Sequence, residues 1–404
     1  MGRRTPMQLG LAGALAFAWL EGATAEAQIV EPGALGPREG LSLHPYASLS
    51  GVYNSNVLLE PDHGTGEFGL WLSPGIEANY RRDVFRAGLD IGADLQRYFG
   101  PIALDGYYGR IAGFAEVAPL PGLTLRLADA WAPQPLNLGL PDDDAANLVQ
   151  SNRVEAEARL RRELPREFVL DVGILGTRFD ADSYEVRQGA DLNGFSTDGG
   201  SIDVDYWDVT GRIELQRGFD RRTIGYARIL ARDRAYESAS NYSFVEVSGL
   251  LGLRFRGPAQ TELEIAGGYG QLNYRDGPTK PTALGLLELS GVLDGGWRWH
   301  AGVSRNFTTD FSIYDYAETS GRVGVEKELG PRTRATVEVS GGQFNSEAPD
   351  VGNQTYWAVE AALRRQLNRT MQAGLVFRHW QTHGEGSLRD ITQNRVILEL
   401  KYRR

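Results

Sequence analysis

The chain holds five histidines, His44, His63, His300, His379 and His383, and no cysteine. These residues bound any side-chain catalysis. Without Cys there is no thiolate nucleophile, no Cys-ligated metal and no disulfide framework. His300 and Ser304 fall on one face of an extended segment. Four residues of strand separate them by ~13 Å, too far for a nucleophile and its base. His379 and His383 lie either side of Trp380, with Glu385 and Asp390 beyond. An Asp/His constellation there would suit a protease or hydrolase at a barrel rim; exposed loop residues are the plainer reading. Neither G-x-S-x-G nor H-E-x-x-H occurs. The sequence therefore points to a non-enzyme without cofactor or metal.

Acidic residues gather twice. Asp142, Asp143 and Asp144 form one knot. Asp180, Asp182, Glu185, Asp191, Asp198, Asp203 and Asp205 lie along one long loop. Oxygen-rich loops can hold a divalent cation, but the spacing matches no EF-hand. A solvated loop is the simpler expectation. A cation site, or a loop folded inward as a constriction, is the sharper one.

A third group of charges is periodic. Arg86, Asp90, Asp94, Arg110, Arg212, Glu214, Arg254, Glu264, Arg322, Glu338, Glu360 and Arg378 each sit on the polar face of an alternating segment, as do Glu116, Glu288 and Glu326. Such faces cannot line a dry core. They can line water inside a wide barrel, so these residues are the pore-lining candidates. All 42 basic residues are Arg except Lys280, Lys327 and Lys401. Arg–carboxylate ladders would stiffen a wall or set a field across it.

The elements that must position them are strands. From Leu41 onward the period is two. In 85–99 the set Phe85, Ala87, Leu89, Ile91, Ala93, Leu95 alternates with Arg86, Gly88, Asp90, Gly92, Asp94, Gln96. Segments of this kind outrun the five or six residues of a soluble strand and match the roughly 9–11 that cross a bilayer. Tight turns at 82–83, 120–122, 164–166, 218–220, 257–259, 294–296, 330–332 and 367–369 alternate with longer, more polar loops. The alternation predicts an all-β fold: a closed antiparallel transmembrane β-barrel of about 18 strands, with short periplasmic turns and longer extracellular loops. Misreading the hairpin at 106–131 would make it 16. Aromatic residues near both strand ends suggest two interfacial girdles. Phe99, Trp131, Phe179, Tyr236, Tyr274 and Phe344 are expected in the outer one.

The beginning of the chain reads as an address. Arg3 and Arg4 precede an apolar run, Leu9 to Leu20, and small residues around 23–27 offer a cleavage site. This is a secretory signal peptide by pattern, over 1–27. A Pro/Gly-rich lead-in, 28–40, precedes the barrel, 41–404. The net charge of −10 argues against nucleic acid as a partner. With 42% hydrophobic and 23% charged residues, the chain is neither disordered nor a helical membrane protein. The expected location is the bacterial outer membrane, in contact with its lipid.

The first hairpin reads HPYASLSGVYNSNVLLEP, then LWLSPGIEANY. Tyr53-Asn54-Ser55-Asn56-Val57 and Ser73-Pro74-Gly75 resemble the opening of a porin-like family of outer-membrane β-barrels tied to exopolysaccharide or capsule export. The likeness covers about 40 residues. It implies a passive passage for a polymer, with periplasmic export proteins as partners, and brings no catalytic residues. The sequence thus favours a non-enzymatic channel with a charged aqueous lumen, for exopolysaccharide somewhat before a general diffusion porin. A rim hydrolase or a structural, adhesive barrel are the readings from other classes. If inward, Trp71 or Tyr206 could stack on a sugar ring.

Overall fold

Alternation becomes strand throughout. The computed structural model describes residues 40–57, 64–100, 105–135, 148–181, 184–185, 201–202, 205–237, 243–258, 260–275, 277, 279–308, 316–346, 353–384 and 390–404. In chain order the strands are β1 (Gly40–Asn54), β2 (Glu67–Arg82), β3 (Phe85–Tyr98), β4 (Asp105–Leu120), β5 (Leu123–Pro135), β6 (Leu148–Leu164) and β7 (Phe168–Ala181). A two-stranded ribbon follows, β8 (Tyr184–Glu185) with β9 (Ser201–Ile202). Then come β10 (Tyr206–Gly218), β11 (Thr223–Tyr236), β12 (Phe244–Arg256), β13 (Glu262–Tyr274), β14 (Thr279–Leu293) and β15 (Trp297–Thr308). The last are β16 (Tyr316–Gly330), β17 (Thr333–Ser346), β18 (Gln354–Gln366), β19 (Met371–Gly384) and β20 (Ile391–Arg403).

Apart from the ribbon, these strands form one 18-stranded antiparallel sheet. Each pairs with its neighbour in sequence, and β7 pairs with β10 across the ribbon. The sheet closes where β1 meets β20, with Tyr46 opposite Arg403 and Asn54 opposite Arg395. Closure leaves no sheet edge, the condition for crossing a bilayer with strands. The eight tight turns stand where the sequence placed them. At 294–296 the turn takes positive φ at Gly295 (78°) and Gly296 (77°), where a side chain would be strained. The signal-peptide segment lies outside the described residues, and β1 starts at Gly40, the last residue of the expected lead-in.

The two faces are opposite in chemistry. Leu127, Ile229, Leu251, Val323 and Leu398 are among many large apolar side chains exposed on the outside, Leu251 at 70%. A continuous apolar belt of this size is unstable in water and stable against acyl chains. This belt on a closed barrel places the chain in the bacterial outer membrane. Eighteen strands about 4.8 Å apart and tilted by ~40° give a wall roughly 35 Å across.

The loop-side girdle differs from expectation. Phe99 and Trp131 face outward there as expected, with Phe68, Tyr107, Trp207 and Trp357, but the other four expected residues do not. Phe179 and Tyr236 are buried on the inner face, Phe179 stacked on Tyr206 and Tyr236 edge-on to it. Tyr274 packs on the inner cluster of Phe244 and Leu272, and Phe344 stacks on Tyr356. Strand parity decides this, and a one-residue shift reverses it.

Prolines inside strands interrupt the ladders. Between β2 and β3, pairing skips from Leu72↔Leu95 to Gly75↔Gly92, at Pro74. Between β4 and β5 it stops at Ile111↔Trp131, below Pro133 and Pro135. Between β14 and β15 it stops at Gly285↔Arg305, below Pro281. In each case the ladder on the strand's other side continues. A proline has no N–H to donate, so one ladder must yield.

Candidate functional site

The charged faces predicted from alternation all turn away from the apolar belt, toward the barrel interior. The register brings them into three groups, and every charged pore-lining candidate has an opposite charge or histidine beside it.

The first group lies on β1–β4. Arg110 donates to Asp94 at 3.1 Å and stands 3.6 Å from Asp90. Tyr46 donates to Asp90 at 2.5 Å. Arg86 pairs with Glu116 through Nε at 3.1 Å. The second group runs from β6 to β13. Arg159 pairs with Asp171 at 2.6 Å, and Arg212 approaches the same carboxylate at 3.6 Å. Glu214 sits between Arg228 (2.7 Å) and Arg254 (3.5 Å), and Arg254 continues to Glu264 at 3.1 Å. Arg232 and Arg234 share Asp208 at 2.5 and 3.0 Å. The third group covers β14–β19: Arg322 with Glu288 (2.8 Å), His300 with Glu338 (2.9 Å) and Arg378 with Glu360 (2.8 Å). Charge-assisted bonds of this length are strong, and sharing lets one carboxylate hold two strands.

A repeated device supports the wall. Tyr46 crosses β2 over Gly75 to reach Asp90 on β3; a Cβ on Gly75 would lie 2.3 Å from the ring. Tyr226 crosses β12 over Gly252 to reach Glu264 on β13 at 2.7 Å. Tyr356 crosses β17 over Gly342 to reach Glu318 on β16 at 2.7 Å. His300 crosses β16 over Gly324 to Glu338 on β17. Only glycine leaves room for a ring lying flat on the sheet. Sequence reading missed these tyrosines. Their place on polar faces was the available signal; their partners two strands away were not visible.

The interior narrows on one side. Phe307 and Ala317 hold positions of outward parity, yet both are buried. Phe307 packs with the inner-face residues Phe244, Leu272 and Leu284. Gly270 makes room, since a Cβ there would stand 2.8 Å from the Phe307 ring. The outer end of β15 therefore leans in over β14, where their ladder has stopped. A cavity of about 600 Å³ lies in the interior, bounded by Arg153, Arg159, Arg212 and Arg228 on one side and Glu288, Ser304, Glu318 and Ser320 on another.

Among the described residues the histidines lie apart, each with a partner of its own. His300 is engaged with Glu338, and Ser304 faces Ser320 at 3.3 Å. His379 has outward parity, lies tilted against Trp357 with ring centres 4.4 Å apart and meets Asn394 at 2.7 Å. His383 pairs with Asp390 at 3.1 Å at the start of β20. That contact holds the Asp390 carboxyl below its ordinary range. Among the described residues no three His, Asp or Glu side chains are placed to hold a metal. Asp180 pairs with Arg178, and Asp205 accepts the Ala181 N–H at 2.8 Å. The remaining acidic-loop positions, and Asp142 to Asp144, lie outside the described residues or have no described side chain.

Trp71 and Tyr206 do face inward; Tyr206 is buried and Trp71 partly buried. Arg395 lies 5.1 Å from Trp71, which packs on Val52, Ala362, Val376 and Ile397. Tyr206 is held between Phe179 (5.1 Å) and Arg234 (4.1 Å).

The Tyr53–Val57 element is a latch at the closing seam. The Asn56 N–H donates to Asn54 Oδ1 at 3.0 Å, and Asn56 Nδ2 donates to the Thr392 carbonyl at 3.2 Å. Gln393 returns a bond to the Asn56 carbonyl at 3.2 Å. The Ser55 N–H donates to Asn394 O at 2.9 Å, and the Asn394 N–H donates to Ser55 Oγ at 2.8 Å. The chain leaving β1 is thereby tied to β20.

No protein-family model and no curated protein matches the chain. Solved structures do. Acinetobacter baumannii OccAB4 superposes with a TM-score of 0.52 at 11% identity, over 91% of this chain and 100% of its own. The outer membrane protein OpdK of Pseudomonas aeruginosa gives 0.53 at 12%, over 90% and 99%. Pseudomonas aeruginosa OccK11 (OpdR) gives 0.50 at 16%, over 92% and 99%. At these identities the likeness is one of fold.

Proposed function

We propose that this chain is a non-enzymatic outer-membrane channel through which small hydrophilic solutes diffuse. The observation that carries the reading is the inner wall. Charged pairs stand on strands all round the interior, with two apolar clusters between them, while the outside is apolar. A wall of this kind is wet, and 18 strands leave room for an aqueous path. On this reading Arg86, Asp90, Asp94, Arg110, Arg212, Glu214, Arg254, Glu264, Arg322, Glu338, Glu360 and Arg378 line the path. Pairing limits the net field, so charge selectivity is weak. The leaning end of β15 supplies the narrowing. Residues 1–27 are the export signal, removed in the mature chain.

Passage of exopolysaccharide, with periplasmic export proteins as partners, is the second reading. It rests on the resemblance of the first hairpin. The latch formed by Tyr53–Val57 gives that motif a structural task, and the buried ring of Tyr206 offers a sugar no open stacking face. Small solutes are therefore the better-supported cargo. Swelling of liposomes containing the refolded chain tests this. Rapid influx of monosaccharides and small acids, falling with size, supports the small-solute channel. Influx of long oligosaccharides at similar rates would favour polymer passage, and no influx would refute both.

A further inference from the structure

The apolar outer surface is not even. A shallow groove of about 670 Å³ is cut into it across β10–β13, on the half nearer the short turns. Its floor is Gly225 and Ala227 of β11. Ala227 is paired with Leu215 of β10 on one side and Leu251 of β12 on the other, and both leucines stand exposed as walls. Phe219 folds back from the turn over Gly225, where a Cβ would lie 2.6 Å from its ring, and closes the periplasmic end.

Arg217 stands at that closed end. It shares the outward parity of Ile213 and Leu215, and its register partners are Phe168 and Gly225. Its guanidinium carbon lies 5.2 Å from the centre of the Phe168 ring and 5.8 Å from that of Phe219. Stacking of this kind fixes a guanidinium and leaves its N–H edge to donate. Among the described residues no carboxylate lies within ion-pair distance of it, and the turns beside it, 164–167 and 218–222, are described in full. Arg178, toward the loop end of the same outer face, is different: it lies over Trp207 but is paired with Asp180 and Glu237. Around Arg217 the charge is positive. Residues 161–167 and 217–222 hold six arginines against Glu163, Glu167 and Asp220. The Asp220 carboxylate already accepts from the N–H groups of Arg222 and Thr223.

We propose that this groove binds one anionic phospholipid of the periplasmic leaflet. The phosphate accepts from Arg217 at headgroup level. One acyl chain runs from there toward the bilayer centre over Ala227, between Leu215 and Leu251. An anion is the complement of a stacked guanidinium amid surplus arginines. A single chain fills a groove that the flat wall of a second copy would leave void. The site lies outside the lumen and does not depend on what passes through it.

Native mass spectrometry of the whole barrel, released from detergent with lipid added, reads retained lipid directly. The probes are palmitoyl-oleoyl phosphatidylglycerol and the phosphatidylcholine with the same chains. The expected result is one retained phosphatidylglycerol, preferred over phosphatidylcholine by about tenfold. Arg217→Ala removes the preference, and Arg217→Lys keeps part of it. Ala227→Leu fills the groove and lowers retention of both lipids. Both positions face outward, so neither substitution disturbs the inner pairs, and heat-modifiable mobility checks that each variant is folded. Equal retention of the two lipids by the native chain, or an unchanged preference in Arg217→Ala, overturns the proposal. So does a dimer that Ala227→Leu dissociates, since the groove would then be an interface between copies of this chain.

Discussion

Tyr46 reaches Asp90 across a whole strand: its hydroxyl donates a 2.5 Å hydrogen bond to Oδ1, and the ring lies over Gly75 of the strand between. The contact stands beside the Pro74 interruption, where the ladder lacks pairs. Side chains thus supply cohesion where the backbone cannot.

The first prediction concerns that contact. Tyr46→Phe keeps the ring and removes the donor, while Arg110 still neutralises Asp90; the cost should be about 1 kcal/mol. Gly75→Val drives a branched side chain into the ring and should cost about 1–3 kcal/mol. Urea unfolding in lipid vesicles measures both. Equal stability of Gly75→Val and the native chain would refute the packing argument.

The shared carboxylates should be the most sensitive wall positions. Asp171 is 1% exposed and serves Arg159 and Arg212. Asp171→Asn leaves two guanidiniums facing an amide, with a cost of about 3–5 kcal/mol. If the barrel still folds, its reversal potential in a salt gradient should move toward anions. A shift toward cations would contradict the placement of these arginines in the path.

The seam latch gives a third test. Asn56→Ala removes the side-chain bond from Nδ2 to the Thr392 carbonyl of β20 and should cost about 1–2 kcal/mol. The folded band in unheated gels should then collapse at a lower temperature. No change would mean that the β1–β20 ladder alone holds the seam.

Asp220, in the turn between β10 and β11, gives a pH test. The N–H groups of Arg222 (2.6 Å) and Thr223 (2.8 Å) hold its carboxyl below the ordinary range. A lowered folded value means stabilisation present above the unfolded value of about 3.9 and lost as pH falls through the folded one. Asp220→Ala should therefore unfold sooner than the native chain at neutral pH, with the difference vanishing in strong acid. A difference independent of pH would contradict this.

The strands were legible because Leu89 and Asp90, or Val337 and Glu338, sort by face at period two, and because turn residues mark the ends. Which charges are inward followed from the same period. What each one touches did not. Asp171 meets Arg212 and Tyr226 meets Glu264 only through registers that fix strands far apart in sequence. Phe307 defeats the period itself, since its strand, still paired to β16, leans in where the ladder with β14 ends. Phe179 and Tyr236 were misplaced because an aromatic near a strand end suits a girdle or an inner stack equally until parity is known.

The central claim is an open aqueous path through a wall of paired charges. Planar-bilayer conductance of the refolded chain lacking residues 1–27 tests it most directly. The account predicts steady, ohmic single-channel current with weak ion selectivity, reduced by small sugars that enter the lumen. A barrel shown to be folded by its heat-modifiable mobility, yet passing no current, would contradict it.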